Sequence, residues 1–439
     1  MSKFFYFLTV VIAVVFLLTS CGLFKDKQEN IETSNGRIFP VETVVKPDPS
    51  LRGIKVSLPR PVINKTWMQS TNNEAHNIQH PFVNNKIRLA WKISIGKGQD
   101  KKNPITSQPV IDETNVYTID TKAKIVSLSK VNGKIKWKKK LRKKINREGI
   151  LNGGLAVNKK YLVVTTGTGA VFVLDKENGK ILWDVDLSRT IRAAPIISGN
   201  NLLILSKDNR LSSYDLQEKK LNWTHEGLEE ISTFMGSSSP TVSSGIIIVT
   251  YSSGEIYALN ELNGSVIWND NLSLYIQKKS LDNISDIRGN PVIHDNKLYV
   301  ISYSGKMVAF DLNSGVRLWE SNIGGIQTPW VVSRFIFVLS KDNELICLSS
   351  KDGKVVWVSK LKDFMDFEKK DKNILWTGPL LAGRMLIVSG SHGIIASISP
   401  YSGKFLGAIN IKSAVDIQAI VSNKIVFFLT KKGDLIAYK

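Results

Sequence analysis

"SLSKVNGKIKW" (residues 127–137) is followed 46 positions later by "VLDKENGKILW" (173–183), and the phrase keeps returning. SYDLQEKKLNW, ALNELNGSVIW, AFDLNSGVRLW, CLSSKDGKVVW and SISPYSGKFLG end at residues 223, 268, 319, 357 and 407. Recurrence at steps of 38 to 51 residues is the mark of a repeat architecture. Each phrase reads as strand, tight turn, strand, because Asn-Gly, Ser-Gly or Asp-Gly at its centre supplies positive-φ positions. Upstream of each phrase lies a β-branched run such as YLVVTTG or KLYVISY. Before that comes another short strand, often opened by proline, as in QPVI, APII, SPTV, NPVI and GPLL. Four short antiparallel strands per repeat is the pattern of a propeller blade.

The ends of the chain give the count. After the phrase ending at Gly407 comes AIVSNKIVFFLTKKGDLIAYK, which stops at Lys439 in its third strand. The fourth strand is available near the start, in IRLAWKISIG, where Trp91 takes the tryptophan slot. The expected fold is therefore all-β: an eight-bladed β-propeller of four-stranded antiparallel blades, closed by the N-terminal strand. Trp91, Trp137, Trp183, Trp223, Trp268, Trp319 and Trp357 are read as docking residues laid across neighbouring blades, with Gly407 the exception. Ten positions before each slot sits a small or modest residue: Ser127, Val173, Ser213, Ala258, Ala309, Cys347, Ser397 and, in the last repeat, Ala437. A large indole needs a small residue beneath it. Cys347 is thus read as a core residue, not a nucleophile or metal ligand.

The first residues decide the expected compartment. MSKFFYFLTVVIAVVFLLTSCGLF has one cation, Lys3, then an apolar run from Phe4 to Leu18. That run is shorter than the roughly 20 residues needed to span a bilayer, so it reads as a secretory h-region. The ending Leu18-Thr19-Ser20-Cys21 resembles the lipobox of bacterial lipoproteins, which implies cleavage before Cys21 and acylation of its sulfur. Gly22 after the cysteine favours delivery to the outer membrane. With Cys21 lipidated only Cys347 remains, so no internal disulfide is expected. From Lys25 to about Lys65 the chain is polar, carries five prolines and shows neither helical nor strand period. It reads as a tether spanning roughly 30–40 Å. The expected organisation is a signal peptide over 1–20, a lipidated N-terminus and flexible tether over 21–65, and the propeller over 66–439.

The net charge is +21. A basic surface attracts nucleic acid, anionic lipid or acidic protein, and export disfavours the first. The densest run, Lys134 to Arg147, holds nine cations in 14 residues. Its apolar residues Ile135, Trp137 and Leu141 lie at odd positions, so it reads as an exposed outer strand. Catalytic signals are thin. His76 and His80 in HNIQH have i, i+4 spacing, but HExxH is absent and the segment reads as a surface loop. There is no GxSxG, GxxxxGK[ST] or CxxC. Neither a metal site, a cofactor nor a catalytic residue is expected.

The pattern A-x-D-x-x-[ST]-G-x-x-x-W, matched at every defined position by Ala309–Trp319, resembles the tryptophan-docking motif of PQQ-like propeller repeats. Two families carry it. One is the quinoprotein dehydrogenases, which would make the chain a periplasmic redox enzyme, but these add long insertions, a Ca²⁺ site and often an adjacent-cysteine disulfide. The other is the BamB family of outer-membrane lipoproteins, eight-bladed and non-catalytic. Signal, tether, blade count and repeat order all resemble it. That resemblance implies a scaffold of the β-barrel assembly (BAM) complex, anchored by lipid in the outer membrane of a Gram-negative bacterium and facing the periplasm. Its implied partners are the POTRA domains of BamA, other BAM subunits and unfolded outer-membrane proteins. The family's BamA contact lies on two successive blade connections, which here are EGLEEISTFMGSSSP and SLDNISDIRGNP. Phe234 and Asp286 fit its pattern, whereas Met235 stands where the family has Arg and Arg288 where it has Asp.

Overall fold

The computed structural model describes residues 45–101, 103–141, 152–228, 237–272, 287–364 and 374–439. These form eight four-stranded antiparallel blades arranged as a propeller. Blade 1 comprises Val110–Ile111, Asn115–Ile119, Lys124–Ser129 and Ile135–Lys140. Blades 2 to 7 repeat that order, beginning at Asn152, Ile196, Thr241, Val292, Trp330 and Trp376. Blade 8 takes three strands from the C-terminus, Ile420–Ser422, Ile425–Leu429 and Asp434–Tyr438, and its outer strand, Leu89–Ser94, from the start of the ring. Trp91 pairs there with Ala437, and Arg88 and Lys439 exchange two backbone hydrogen bonds of 2.8 Å.

Burial follows position in the blade. Phe335–Leu339, a second strand, is buried throughout, because both of its faces are covered by neighbouring blades. Outer strands alternate, as in Ile181–Asp186. The basic run behaves this way too. Ile135–Lys140 is an outer strand with its lysines at the surface, and residues 142–147 lie outside the described residues.

The phrase that defines the repeat turns out to be a lock between blades. Each tryptophan from Trp137 to Trp357 in the docking slot is directly opposite the residue ten positions earlier, in its own blade: Ser127 with Trp137, Ala309 with Trp319, Cys347 with Trp357. The indole then reaches over the turn of the next blade. Trp319 donates from Nε1 to the Ser350 carbonyl (3.1 Å) and lies on Gly353, where a Cβ would run into the ring. The same pairing joins Trp91 to Gly133, Trp137 to Gly179, Trp223 to Gly264, Trp268 to Gly315 and Trp357 to Gly403. The turn glycine therefore meets two demands at once. Its φ of +68° at Gly353 is the left-handed region, and its bare Cα leaves room for the ring. Sequence reading placed the small residue under the indole in the neighbouring blade. It is the cross-strand partner instead, and the residue under the indole is the turn glycine.

One lock is defective. Blade 3 carries Lys219 (φ +58°) in the glycine slot, and the buried indole N–H of Trp183, in the docking position of blade 2, has no hydrogen-bond partner among the described residues. Cys347 is fully buried, and burial pushes its thiol well above the ordinary range, as a packed core residue requires.

Residues 45–88 depart from expectation. The stretch read as tether through residue 65 is already packed by Asp48, whose N–H donates to Val355 O (2.8 Å), and Val56 is buried. Proline and polarity abolish a strand period, but an extended chain still docks by single hydrogen bonds to the blades. The next segment is a strap through the propeller axis. Its ends are bridged, Val62 N–H to His80 O (2.8 Å) and Phe82 N–H to Val62 O (2.7 Å).

Between them it touches all eight blades. Asn64 Nδ2 donates to Val421 O (2.8 Å), Trp67 pairs with Ile111, and Met68 O accepts from Val157 N (2.7 Å). Gln69 Oε1 accepts from Ile197 N (2.8 Å), Glu74 O from Val242 N (2.7 Å) and Ala75 O from Ile293 N (3.0 Å). Gln79 O accepts from Trp330 Nε1 (3.1 Å) and Pro81 O from Gly383 N (2.8 Å). His76 and His80, read as surface loop residues, are 2% and 1% exposed. The polarity that marked them as a loop satisfies the orphan backbone groups of the innermost strands.

The lock predicts an asymmetry. Trp319→Phe should lose about 1 kcal/mol from the missing bond to Ser350, beyond the cost of the smaller ring. Trp183→Phe removes a donor with no acceptor and should be clearly milder. Urea denaturation of the two variants measures the difference; equal losses would contradict the geometry.

Candidate functional site

Strand order puts every connection from an outer strand to the next innermost strand on one face of the ring. The strap enters from the other face, where first and second strands turn. Its tip, Gln69 to Asn72, passes along the axis until it meets the residues that open the innermost strands. Trp67 Nε1 (3.2 Å) and Thr71 N (3.3 Å) both donate to Gln108 Oε1. Asn290 Nδ2 donates to Ser70 Oγ (3.0 Å) and Thr71 Oγ1 (2.9 Å).

Asn290 is the knot of the rim. Its Oδ1 accepts from Ser239 N (2.8 Å), at the end of the connection from blade 3 to blade 4, and its own N–H donates to Thr328 Oγ1 (3.1 Å). Ser239 Oγ in turn donates to Ala194 O (3.1 Å). One buried amide thus joins the strap to three neighbouring connections. A buried polar network with every member satisfied is rigid.

The first connection is held at its other end by Glu255. Its carboxylate accepts from Leu228 N (2.8 Å), Ser253 Oγ (2.7 Å) and Tyr257 Oη (3.1 Å). His225 Nδ1 lies 2.7 Å from Tyr251 Oη, and a Cβ on Gly227 would strike the Tyr251 ring. Burial raises the Tyr251 hydroxyl far above its ordinary value and lowers the His225 imidazole. Leu228, just beyond this stem, is 67% exposed.

Of the residues read as the partner site, Phe234, Met235 and Asp286 lie outside the described residues, as does Cys21. Arg288 is described. It is half-buried and held by contacts of its own, two positions before Asn290. The described ends of the two connections meet through the hydrogen bond from Ser239 N to Asn290 Oδ1. Sequence reasoning missed Asn290 and Glu255. Nothing but the position of Asn290 before Pro291 marks them, and their joining roles depend on distant partners, Leu228 at 27 residues from Glu255 and Ser70 at 220 from Asn290.

The axis is also where a propeller would house a cofactor. Here the residues present do not fit a quinone, because Trp67, Gln69, Thr71 and His76 fill that space and are buried. Among the described residues no group of three or more His, Cys, Asp or Glu is placed to hold a metal ion.

A family described as "Outer membrane protein assembly factor BamB" matches residues 145–359. BamB of Yersinia pestis is 23% identical over 368 residues, covering 82% of this chain and 90% of that protein. The chain resembles the BamB family in sequence over most of its length. The crystal structure of BamB from Moraxella catarrhalis has the same fold, with a TM-score of 0.64 at 17% identity over 81% of this chain and 98% of that one. Quinohemoprotein alcohol dehydrogenase of Comamonas testosteroni also shares the fold, with a TM-score of 0.63 at 11% identity over 85% and 80%. The fold therefore does not separate a BamB-type propeller from an enzyme. In this chain the strap occupies the axis.

The strap carries its own pH signature. Burial lowers the His76 imidazole to about 4, while its Nδ1 sits 2.9 Å from Pro291 O. The unfolded chain takes up this proton near 6.5. The stability that the neutral ring contributes is full above pH 6.5 and is lost as the pH falls towards 4. His76→Gln should flatten the fall in Tm between pH 6.5 and 4, measured calorimetrically. An unchanged slope would place the titrating group elsewhere.

Proposed function

We propose that the chain is a non-enzymatic scaffold of the outer-membrane β-barrel assembly (BAM) complex. The observation that carries this reading is the closed propeller whose axis is filled by its own strap, which leaves the rim as the working surface. On this reading a signal peptide over residues 1–20 is removed and Cys21 is lipidated. The lipid anchors the propeller in the outer membrane of a Gram-negative bacterium, facing the periplasm. The rim connections over residues 226–240 and 280–291 bind a BamA POTRA domain. Phe234 and Met235 supply the apolar part and Asp286 with Arg288 the charged part, an arrangement of the kind that makes binding hot spots. Other BAM subunits and unfolded outer-membrane proteins are further partners in this scheme. The dehydrogenase reading has the shared fold in its favour and the strap against it.

Two experiments test the proposal. Affinity purification of the intact lipoprotein from membranes should bring BamA with it. Phe234→Ala combined with Asp286→Ala should abolish that co-purification while the circular dichroism of the propeller is unchanged. Retention of BamA by the double variant would refute the rim assignment. Separately, Cys21→Ser should remove the acyl chains by mass spectrometry; a wild-type protein that carries no lipid would refute the anchor.

A further inference from the structure

Seven blade junctions have a turn for the incoming indole, and the eighth has none. The third and fourth strands of blade 8, Asp434–Tyr438 and Leu89–Ser94, come from distant parts of the chain and are not joined by a turn. The residue that should dock there, in the outer strand of blade 7, is Gly407. A Cβ on Gly407 would meet no atom within 4 Å. A cleft of about 710 Å³ lies at this place. Gly407, Leu406 and Tyr401 line one side and Lys86, Arg88 and Arg384 are also in its wall. Leu406 and Tyr401 are 54% and 39% exposed. Among the described residues the lining contains these three cations and no acidic residue.

We propose that this seam is a docking cleft for a partner polypeptide that presents an aromatic side chain beside carboxylates. The repeat itself identifies the aromatic. At the six junctions from Trp91, Trp137, Trp223, Trp268, Trp319 and Trp357 the equivalent space holds an indole resting on the next blade. At the seam the same space is left open between apolar walls, so the ring has to come from another molecule. The charge identifies its surroundings, since three cations in a lining that has no acidic side chain among the described residues favour an anionic neighbour and disfavour a basic one. Partner binding at the rim lies on the connection face, whereas this cleft lies beside Arg384 and Ser399, at the turns of the opposite face. The two surfaces do not compete, and the inference does not rest on the proposed BamA contact.

Fluorescence anisotropy with a labelled synthetic pentapeptide, a central tryptophan flanked by two aspartates on each side, tests the cleft on the whole folded protein. Saturable binding is expected. Replacing the central tryptophan with alanine, or the aspartates with lysines, should weaken it at least tenfold. Arg88→Glu with Arg384→Glu should do the same, while Lys138→Glu on the exposed outer strand of blade 1 should leave it unchanged. Gly407→Trp should occupy the cleft in cis and remove binding. If that variant does not fold, the arginine pair decides. No saturable binding, indifference to the tryptophan, or equal weakening by Lys138→Glu would each overturn the proposal, the last because it shows general attraction to a basic protein.

Discussion

An indole resting on a glycine that has no Cβ is the contact on which this ring depends. A blade is a small twisted sheet with apolar faces and no independent core, so its stability comes from its neighbours. The lock between Trp319 and Gly353 fixes that neighbour relation in two ways. The ring covers apolar surface, and its N–H bonded to Ser350 O sets the angle at which one blade meets the next. Repeated around the circle, such a contact specifies eight blades as firmly as it specifies one junction. The exceptions then acquire meaning. Among the described residues the Trp183 donor is unsatisfied where the next blade carries Lys219, and Gly407 faces a blade whose closing strand has no turn to offer.

A second constraint acts along the axis. Innermost strands as short as Val110–Ile111 or Thr241–Ser243 leave backbone groups that neighbouring strands cannot satisfy. A buried unpaired N–H or C=O is costly, and the strap supplies the missing partners. Lys130 shows how closely the strap is tied in. Its buried ammonium donates to Lys65 O (2.8 Å), Asp112 O (3.1 Å) and Ser422 Oγ (3.4 Å), so one cation joins strap, blade 1 and blade 8. A filled axis moves any binding function outward to the rim and the seams, which is the physical content of the scaffold reading.

The blades were legible because the phrase repeats and because hairpin turns have a strict chemistry. The closure by Trp91 was legible for the same reason, since the slot it fills is empty in the last repeat. The strap was not legible. Residues such as Gln69, Thr71 and His76 carry no periodicity, and they are buried only because eight separate strands converge on the strap. Long-range satisfaction of backbone groups leaves no local pattern in a sequence. Asn290 was missed for that reason as well. The double role of the turn glycines was half visible: the positive φ follows from Asn-Gly, but the ring above it belongs to another repeat.

The ring depends most directly on the indole seat, and a pair of alanine substitutions isolates it. Gly353 and Gly245 both have positive φ, +68° and +76°, so alanine strains the backbone similarly at each. They differ in surroundings. A Cβ on Gly353 meets the Trp319 ring, and one on Gly245 meets nothing within 4 Å. Urea denaturation of Gly353→Ala and Gly245→Ala should show an additional loss of about 1–3 kcal/mol at Gly353, the usual cost of overpacking. Equal losses at the two positions would contradict the claim that the ring is locked by indoles seated on bare glycines.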